Sequence, residues 1–168
     1  AAPTIEAVVA AYECGDLSSA RTAFTRLARE GVAAADYNLA VMHLRGEMPH
    51  ASTHEAVRLM TRAAEGGFVT AMFGLAQLYE QGRAGLVANL AEAYRWYLRA
   101  AEGGSVDAQV AIATAHYLGR GATKDATQAA RWFRIAAQAG DVGAQYLIAS
   151  MYETGDGVER DLREARYW

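Results

Sequence analysis

Residues 71–104 read AMFGLAQLYEQGRAGLVANLAEAYRWYLRAAEGG, and this stretch decides the fold because the chain repeats it. The same pattern occurs at 108–140 as AQVAIATAHYLGRGATKDATQAARWFRIAAQAG and earlier in the chain at 35–67. A further copy begins at residue 144. Successive copies begin 36 or 37 residues apart. A fixed period of about 20 to 50 residues is the sequence signature of stacked repeats. We therefore predict a repeat array rather than a single round core.

The first half of each copy has the pattern of a short helix that ends at glycine. Apolar or ring-bearing residues recur at repeat positions 0, 4, 5 and 8, a spacing that places them on one helix face. In the copy at 71–104 these residues are Ala71, Leu75, Ala76 and Tyr79. Position 11 is glycine in every copy from residue 35 onward: Gly46, Gly82, Gly119 and Gly155. Glycine at this point indicates a helix C-terminus that needs a positive φ angle.

The second half of each copy begins with a residue suited to cap a helix. The candidate N-caps are Ser52, Asn89, Asp125 and Asp161, followed three residues later by Glu55, Glu92, Gln128 and Glu164. This pattern predicts a capping box, in which each of the two side chains accepts the backbone N–H of the other residue. The helix that follows carries a recurring large residue, at Met60, Trp96, Trp132 and Trp168, which we assign to the core.

The beginning of the chain fits the same frame with the internal loop deleted, so that Asp16 caps the second helix directly. We therefore predict one repeat domain over 1–168. It consists of a short repeat at 4–31, full repeats at 35–67, 71–104 and 108–140, and a truncated repeat at 144–168. Because the pattern places Trp168 within a helix, we expect the natural protein to continue. An uncapped apolar last helix should fray or be covered by a second copy of the chain.

The combined pattern A-x-x-x-[LI]-A-x-x-[YH]-x-x-G, a capping residue, A-x-x-[W] and A-A-x-x-G resembles the Sel-one-like repeat family, a branch of the tetratricopeptide-like solenoids. The resemblance covers essentially the whole chain. It implies an all-α fold, a right-handed α-solenoid of antiparallel helix pairs with about five repeats. Departures are the loop after Gly46, which lacks the usual second glycine, and histidine in place of tyrosine at His43 and His116.

A second stripe on the first helices, at repeat positions 2, 6 and 9, supplies the candidate binding residues. We call this stripe the first-helix face; the resemblance places it on the concave surface of the solenoid. It consists of Tyr37, Val41, Leu44, Phe73, Gln77, Glu80, Val110, Thr114, Tyr117, Tyr146, Ser150 and Glu153. Aromatic anchors among polar neighbours are typical of peptide-binding grooves. The alternative interpretation is that Tyr37, Phe73 and Tyr146 pack against the next repeat.

Composition and charge argue against several other classes of protein. A net charge of −3 and a pI near 5.8 provide no basic field for nucleic acid. The sequence contains no run of about 18 apolar residues, which is the length that a membrane-spanning helix needs. We interpret His50 and His54 as surface residues rather than metal ligands, and Cys14 as a structural thiol; no cofactor or metal is expected. The start Ala1-Ala2-Pro3 indicates either a tag removed by cleavage or a processed export signal, which favours a periplasmic or exported location over the cytoplasm.

The sequence predicts a scaffold or adaptor that binds a partner protein or peptide on the concave face, and it does not predict an enzyme. No phosphate loop, metalloprotease helix or nucleophile elbow is present. The resemblance includes cysteine-rich relatives linked to β-lactams, chemistry that normally uses Ser-x-x-Lys, but Lys124 has Gly121 three residues before it. The alternatives are a purely structural repeat module of a larger protein and a protein that interacts with the cell wall or β-lactams.

Overall fold

The computed structural model describes residues 3–168; the expected processing site before Ala1 lies outside this range. All regular secondary structure in the described residues is α-helical, as predicted. The ten helices are α1 (Ile5–Glu13), α2 (Leu17–Arg29), α3 (Ala33–Leu44), α4 (Thr53–Glu65), α5 (Val69–Gln81), α6 (Leu90–Glu102), α7 (Val106–Leu118), α8 (Ala126–Gln138), α9 (Val142–Thr154) and α10 (Leu162–Tyr167). They fall into two compact units, Ala1–Ala88 and Asn89–Trp168.

Unit 1 contains α1 to α5, and consecutive helices pack against each other from α1 through α5. Because the connecting loops are short, neighbouring helices run antiparallel. Helix α3 also contacts α1 and α5, so the first helices of successive repeats lie side by side. The alanines predicted for the packed face, such as Ala35 and Ala40, have no exposed surface. Small side chains there let neighbouring helices approach closely around Phe24, Met42 and Leu75.

Unit 2 contains α6 to α10 and repeats this arrangement, with consecutive helices in contact from α6 through α10. Ile112 and Ile148 occupy the same repeat position on α7 and α9, and neither has any exposed surface. Trp96 and Trp132 are buried, which places both in the core as predicted. The guanidinium of Arg99 lies 4.7 Å from the Trp96 ring centroid, so an arginine covers the outer face of that ring.

The glycines at repeat position 11 end the first helices as predicted. Gly46, Gly82, Gly119 and Gly155 all have positive φ angles. At Gly82 there is a second constraint, because a Cβ atom would lie 3.0 Å from the backbone nitrogen of Ala88. Both the dihedral angle and the space at this turn therefore favour glycine.

The capping prediction is confirmed for the N-cap side chains and wrong for the reciprocal half of the box. Side-chain oxygens of Ser52, Asn89, Asp125 and Asp161 each accept the backbone N–H three residues later. The Ser52 amide, however, donates to His43 Nδ1 at 3.1 Å. The Glu55 carboxylate instead accepts two hydrogen bonds from Arg58. A nearby arginine competes for the glutamate, and the first helix supplies another acceptor for the cap amide.

The predicted set of recurring large residues on the second helices, which began with Met60, needs one correction. Counted from the N-caps, the residue equivalent to Trp96 and Trp132 is Leu59, not Met60. Asn89 follows the repeat-position-11 glycine Gly82 by seven residues, whereas Ser52 follows Gly46 by six, and this difference shifts a count made at a constant 36 residues. Met60 is buried at the position of Tyr97, so both residues belong to the core.

Candidate partner-binding surface

In unit 1 the first-helix face is formed by Tyr37, Val41 and Leu44 on α3 and by Phe73, Gln77 and Glu80 on α5. These side chains are half-buried, except Leu44, which is exposed. The Tyr37 ring lies against Phe68, with 5.3 Å between ring centroids. Phe68 is the N-cap residue of α5, so Tyr37 packs against the next repeat, in agreement with the alternative interpretation for this residue.

In unit 2 the same face is more open to solvent. Thr114 and Tyr117 on α7 are exposed, as are Tyr146, Ser150 and Glu153 on α9; Val110 on α7 is half-buried. The Tyr146 side chain is 74% exposed, although Tyr37 holds the equivalent repeat position in unit 1. The Tyr146 ring is therefore open to solvent in this structure, and it can contact another molecule.

Tyr117 is partly exposed but held in place by two contacts. Its hydroxyl donates to Asp156 Oδ2 at 3.0 Å, and its ring centroid lies 6.4 Å from that of Phe133. The hydrogen bond to the carboxylate raises the pKa of Tyr117 above its usual value. Because Asp156 follows α9, this contact joins α7 to the α9–α10 loop and fixes the orientation of the ring.

An ion pair that the sequence analysis missed joins the two helices of one repeat in unit 1. Asp36 on α3 is buried, and Arg62 on α4 donates to both of its oxygens, from Nε at 3.0 Å and from Nη2 at 2.5 Å. In unit 2 the equivalent residues are Gln109 and Gln145, whose amides donate to carbonyl groups of the preceding second helix. The available signal was a carboxylate at a position that holds Met72, Gln109 and Gln145 in the other copies.

The side chains around this ion pair line a cleft of about 320 Å³, with lining residues from α2, α3, α4 and the loop before α4. We call it the arginine cleft. It is lined by Thr25, Ala28, Arg29, Leu39, His43, Met48, Glu55, Arg58, Leu59 and Arg62. Arg58 and Arg62 are each fixed by a carboxylate, whereas Arg29 makes no hydrogen bond or ion pair within the described part of the chain.

The remaining candidates take structural or surface roles. His43 and His116 are half-buried rings with hydrogen bonds. His50 and His54 are exposed, and no group of three or more potential metal ligands occurs among residues 3–168. Cys14 is exposed at the end of α1, so the expectation of a structural thiol is wrong. Across the same described range, no helix has the length and apolarity to cross a bilayer.

Comparison with known families places the chain among repeat proteins. The sequence model of the Sel1 repeat matches residues 33–68, 69–105, 106–141 and 142–168, and each match begins at the first residue of a first helix. The chain therefore belongs to the Sel1 repeat family, a tetratricopeptide-like family of helical solenoids that are typically non-enzymatic scaffolds. Residues 4–31 lie outside these matches; they form α1 and α2, and Asp16 caps α2.

Solved structures show the same fold. A protective antigen of uropathogenic Escherichia coli with an SLR fold is 30% identical, with a TM-score of 0.79 over 88% of this chain. A Sel1 repeat protein from Oxalobacter formigenes is 31% identical, with a TM-score of 0.77 over 89% of this chain. The chain spans 32% of the first protein and 61% of the second. Cysteine-rich protein B of Helicobacter pylori shares the fold at 20% identity, with a TM-score of 0.57 over 74% of this chain and 93% of that one. No curated protein sequence matches the chain.

Proposed function

We propose that the chain is a scaffold or adaptor that binds a partner protein or peptide through the first-helix face. The observation that carries this proposal is the exposure of Tyr146 on α9, at 74% of its surface. A large ring held on a rigid helix loses little conformational entropy on binding and buries a large area, which is why tyrosine is enriched at binding hot spots. The scaffold role general to Sel1 repeats supports the same conclusion.

The neighbours of Tyr146 supply the polar part of such a surface. Ser150 and Glu153 follow it by four and seven residues, so all three lie on one face of α9. All three are exposed. One hydroxyl and one carboxylate beside an aromatic anchor can orient a bound segment by hydrogen bonds while the ring provides most of the buried area. On α7, Tyr117 and Thr114 offer the same combination of an aromatic residue and a hydroxyl group.

We further propose that the partner is a protein rather than a nucleic acid, and that the chain has no catalytic activity. The net charge of −3 opposes binding to a polyanion, because affinity for nucleic acid comes largely from cations that neutralise phosphates. Sel1 repeat proteins are typically non-enzymatic, which supports the second part. A chromogenic cephalosporin incubated with the chain should show no hydrolysis above the buffer rate.

Site-specific crosslinking tests the proposed surface. A photoreactive phenylalanine analogue is placed at Tyr146 or, as a control, at the exposed Val87 in the loop before α6. Both proteins are irradiated in extract of the source cells. We expect a discrete crosslinked species at position 146 that is absent at position 87 and is reduced by Ser150→Arg. Identical crosslinking at both positions, or none at 146, would overturn the assignment of this face.

A further inference from the structure

The arginine cleft presents guanidinium groups whose hydrogen-bonding capacity is only partly used. Arg62 contacts Asp36 through Nε and Nη2, and Arg58 contacts Glu55 through the same two atoms. Each Nη1 therefore has no hydrogen-bond acceptor within the described residues. The carboxylates hold both guanidinium planes in place, so a ligand that used these free donors would meet groups already oriented.

The charges of the cleft leave one positive charge unbalanced. Three arginines contribute three positive charges, and the carboxylates of Asp36 and Glu55 cancel two of them. The unmatched group is Arg29, whose side chain is exposed and makes no hydrogen bond or ion pair within residues 3–168. A ligand with one negative charge would neutralise the cleft, which favours a carboxylate over a doubly charged phosphate group.

The floor of the cleft is apolar. Leu39 and Leu59 form part of it and are 6% and 4% exposed, with Ala28 and Met48 beside them. A volume of about 320 Å³ is that of one or two amino-acid residues. The cleft can therefore take an apolar side chain together with an adjacent charged group, but not an extended segment.

In unit 2 the helices equivalent to α2, α3 and α4 are α6, α7 and α8, and they lack two of the three arginines of this cleft. Counted from the N-caps, the equivalents of Arg29, Leu59 and Arg62 are Glu102, Trp132 and Ile135. Tyr94 also contacts His116 there, with 2.9 Å between the hydroxyl and Nε2. The equivalents of the floor residues Leu39 and Leu59 remain apolar and buried in unit 2, as Ile112 and Trp132, so it is the arginine charge that is particular to this cleft and not a general requirement of the fold.

We propose that the arginine cleft binds the C-terminal residue of a peptide, with its α-carboxylate at the guanidiniums and an apolar side chain on the leucine floor. A C-terminal residue such as leucine carries a single carboxylate and an apolar side chain on one Cα, which matches the volume and the charge of the cleft. This site involves α2, α3 and α4 in unit 1 and none of the first-helix face residues. Peptide binding at the arginine cleft can therefore be tested independently of the function proposed above.

Fluorescence anisotropy with a defined peptide tests this proposal. The probe is fluorescein-Gly-Ser-Gly-Ala-Leu with a free C-terminus, titrated with the full chain. Two peptides serve as comparison arms: the same peptide as its C-terminal amide, and fluorescein-Gly-Ser-Glu-Ala-Leu-amide, whose carboxylate is on a side chain. Arg29→Glu should fold normally because Arg29 is exposed and unpaired within the described residues. Arg131→Glu is the control, with the same charge change at an exposed site on α8.

We expect saturable binding of the free-carboxylate peptide and a loss of affinity of about tenfold or more with either amide peptide. Arg29→Glu should weaken binding of the free-carboxylate peptide to a similar degree, and Arg131→Glu should leave it unchanged within about twofold. Equal affinity for the C-terminal amide, equal effects of both substitutions, or absence of saturable binding would each overturn the proposal. Tight binding of the glutamate-containing amide would overturn the assignment to a C-terminus.

Discussion

At the scale of single residues, one repeat position makes different contacts in different copies of the repeat. Gln109 and Gln145 each attach a first helix to the preceding second helix through an amide hydrogen bond. Asp36 holds the same position but pairs with Arg62 in its own repeat. The buried carboxylate requires a charged partner, because leaving it unpaired would cost more than losing a neutral hydrogen bond. One substitution thus turns a contact between repeats into a contact within a repeat.

His43 provides a prediction for the pH dependence of stability. Burial lowers the pKa of His43, and the charge of Glu55 opposes this only in part. The unfolded chain, with a histidine pKa of about 6.5, therefore binds more protons than the folded chain just below that pH. Stability from His43 is present above the unfolded pKa and declines as the pH falls below it. Urea denaturation of wild type and His43→Gln between about pH 7.5 and pH 5.5 should show a smaller decline for the variant.

His50→Gln is the control for this experiment, since His50 is exposed and its replacement should leave the pH dependence of wild type unchanged. If His43→Gln loses stability with falling pH as steeply as wild type does, the ring is not held neutral by burial. In that case the hydrogen bond from the Ser52 amide to Nδ1 is not a feature of the folded chain in solution.

At the scale of helices, the second helices contribute the tryptophan side chains of the core, Trp96 and Trp132. We predict that Trp132→Ala lowers the free energy of unfolding by about 3–5 kcal/mol, because it removes a buried ring in a well-packed core. Arg131→Ala is the control: its guanidinium lies 5.6 Å from the same ring, and an exposed contact of this type contributes only about 0.5–1 kcal/mol. Urea denaturation measures both; similar small losses would contradict the core assignment.

The comparison of helices also shows which features could be predicted from sequence. N-caps and terminal glycines were predictable because each depends on residues within a few positions along the chain. The Asp36–Arg62 pair joins residues 26 positions apart and depends on how α3 and α4 pack. The reciprocal capping box failed in part for the same reason, because the Ser52 amide donates to His43 on α3, which packs against α4; in addition, Arg58 binds the Glu55 carboxylate.

The candidate site was predictable as a set of positions but not as a surface. Tyr37 and Tyr146 are the same residue type at the same repeat position, yet Phe68 covers Tyr37 while Tyr146 remains 74% exposed. Exposure depends on the residues that a neighbouring repeat brings to the ring, and a periodic pattern does not contain that information. The arginine cleft was missed because its lining comes from three helices and a loop.

At the scale of the whole molecule, α10 suggests how two copies could associate. This helix buries none of its residues, and Leu162 and Tyr167 are 44% and 75% exposed. We propose that α10 packs against a second copy of the chain, which would bury these apolar side chains.

Light scattering after size-exclusion chromatography tests this proposed association. The measured mass should rise with protein concentration for wild type, and Leu162→Glu should remain monomeric because it places a charge in the contact. Val87→Glu is the matched control, since Val87 is 86% exposed in unit 1 and its replacement should leave the association intact. A wild-type mass that is monomeric at every concentration would contradict the role proposed for α10.

The central claim is that the first-helix face binds a partner protein. A titration with the purified partner that the crosslinking experiment identifies tests this claim most directly. Isothermal titration calorimetry compares wild type with Tyr146→Ser and Tyr167→Ser, at chain concentrations below those at which α10 mediates association. The account predicts that Tyr146→Ser weakens affinity by about tenfold or more, while Tyr167→Ser, equally exposed on α10, changes it by less than about twofold. Unchanged affinity for Tyr146→Ser, with its melting temperature intact, would contradict the claim.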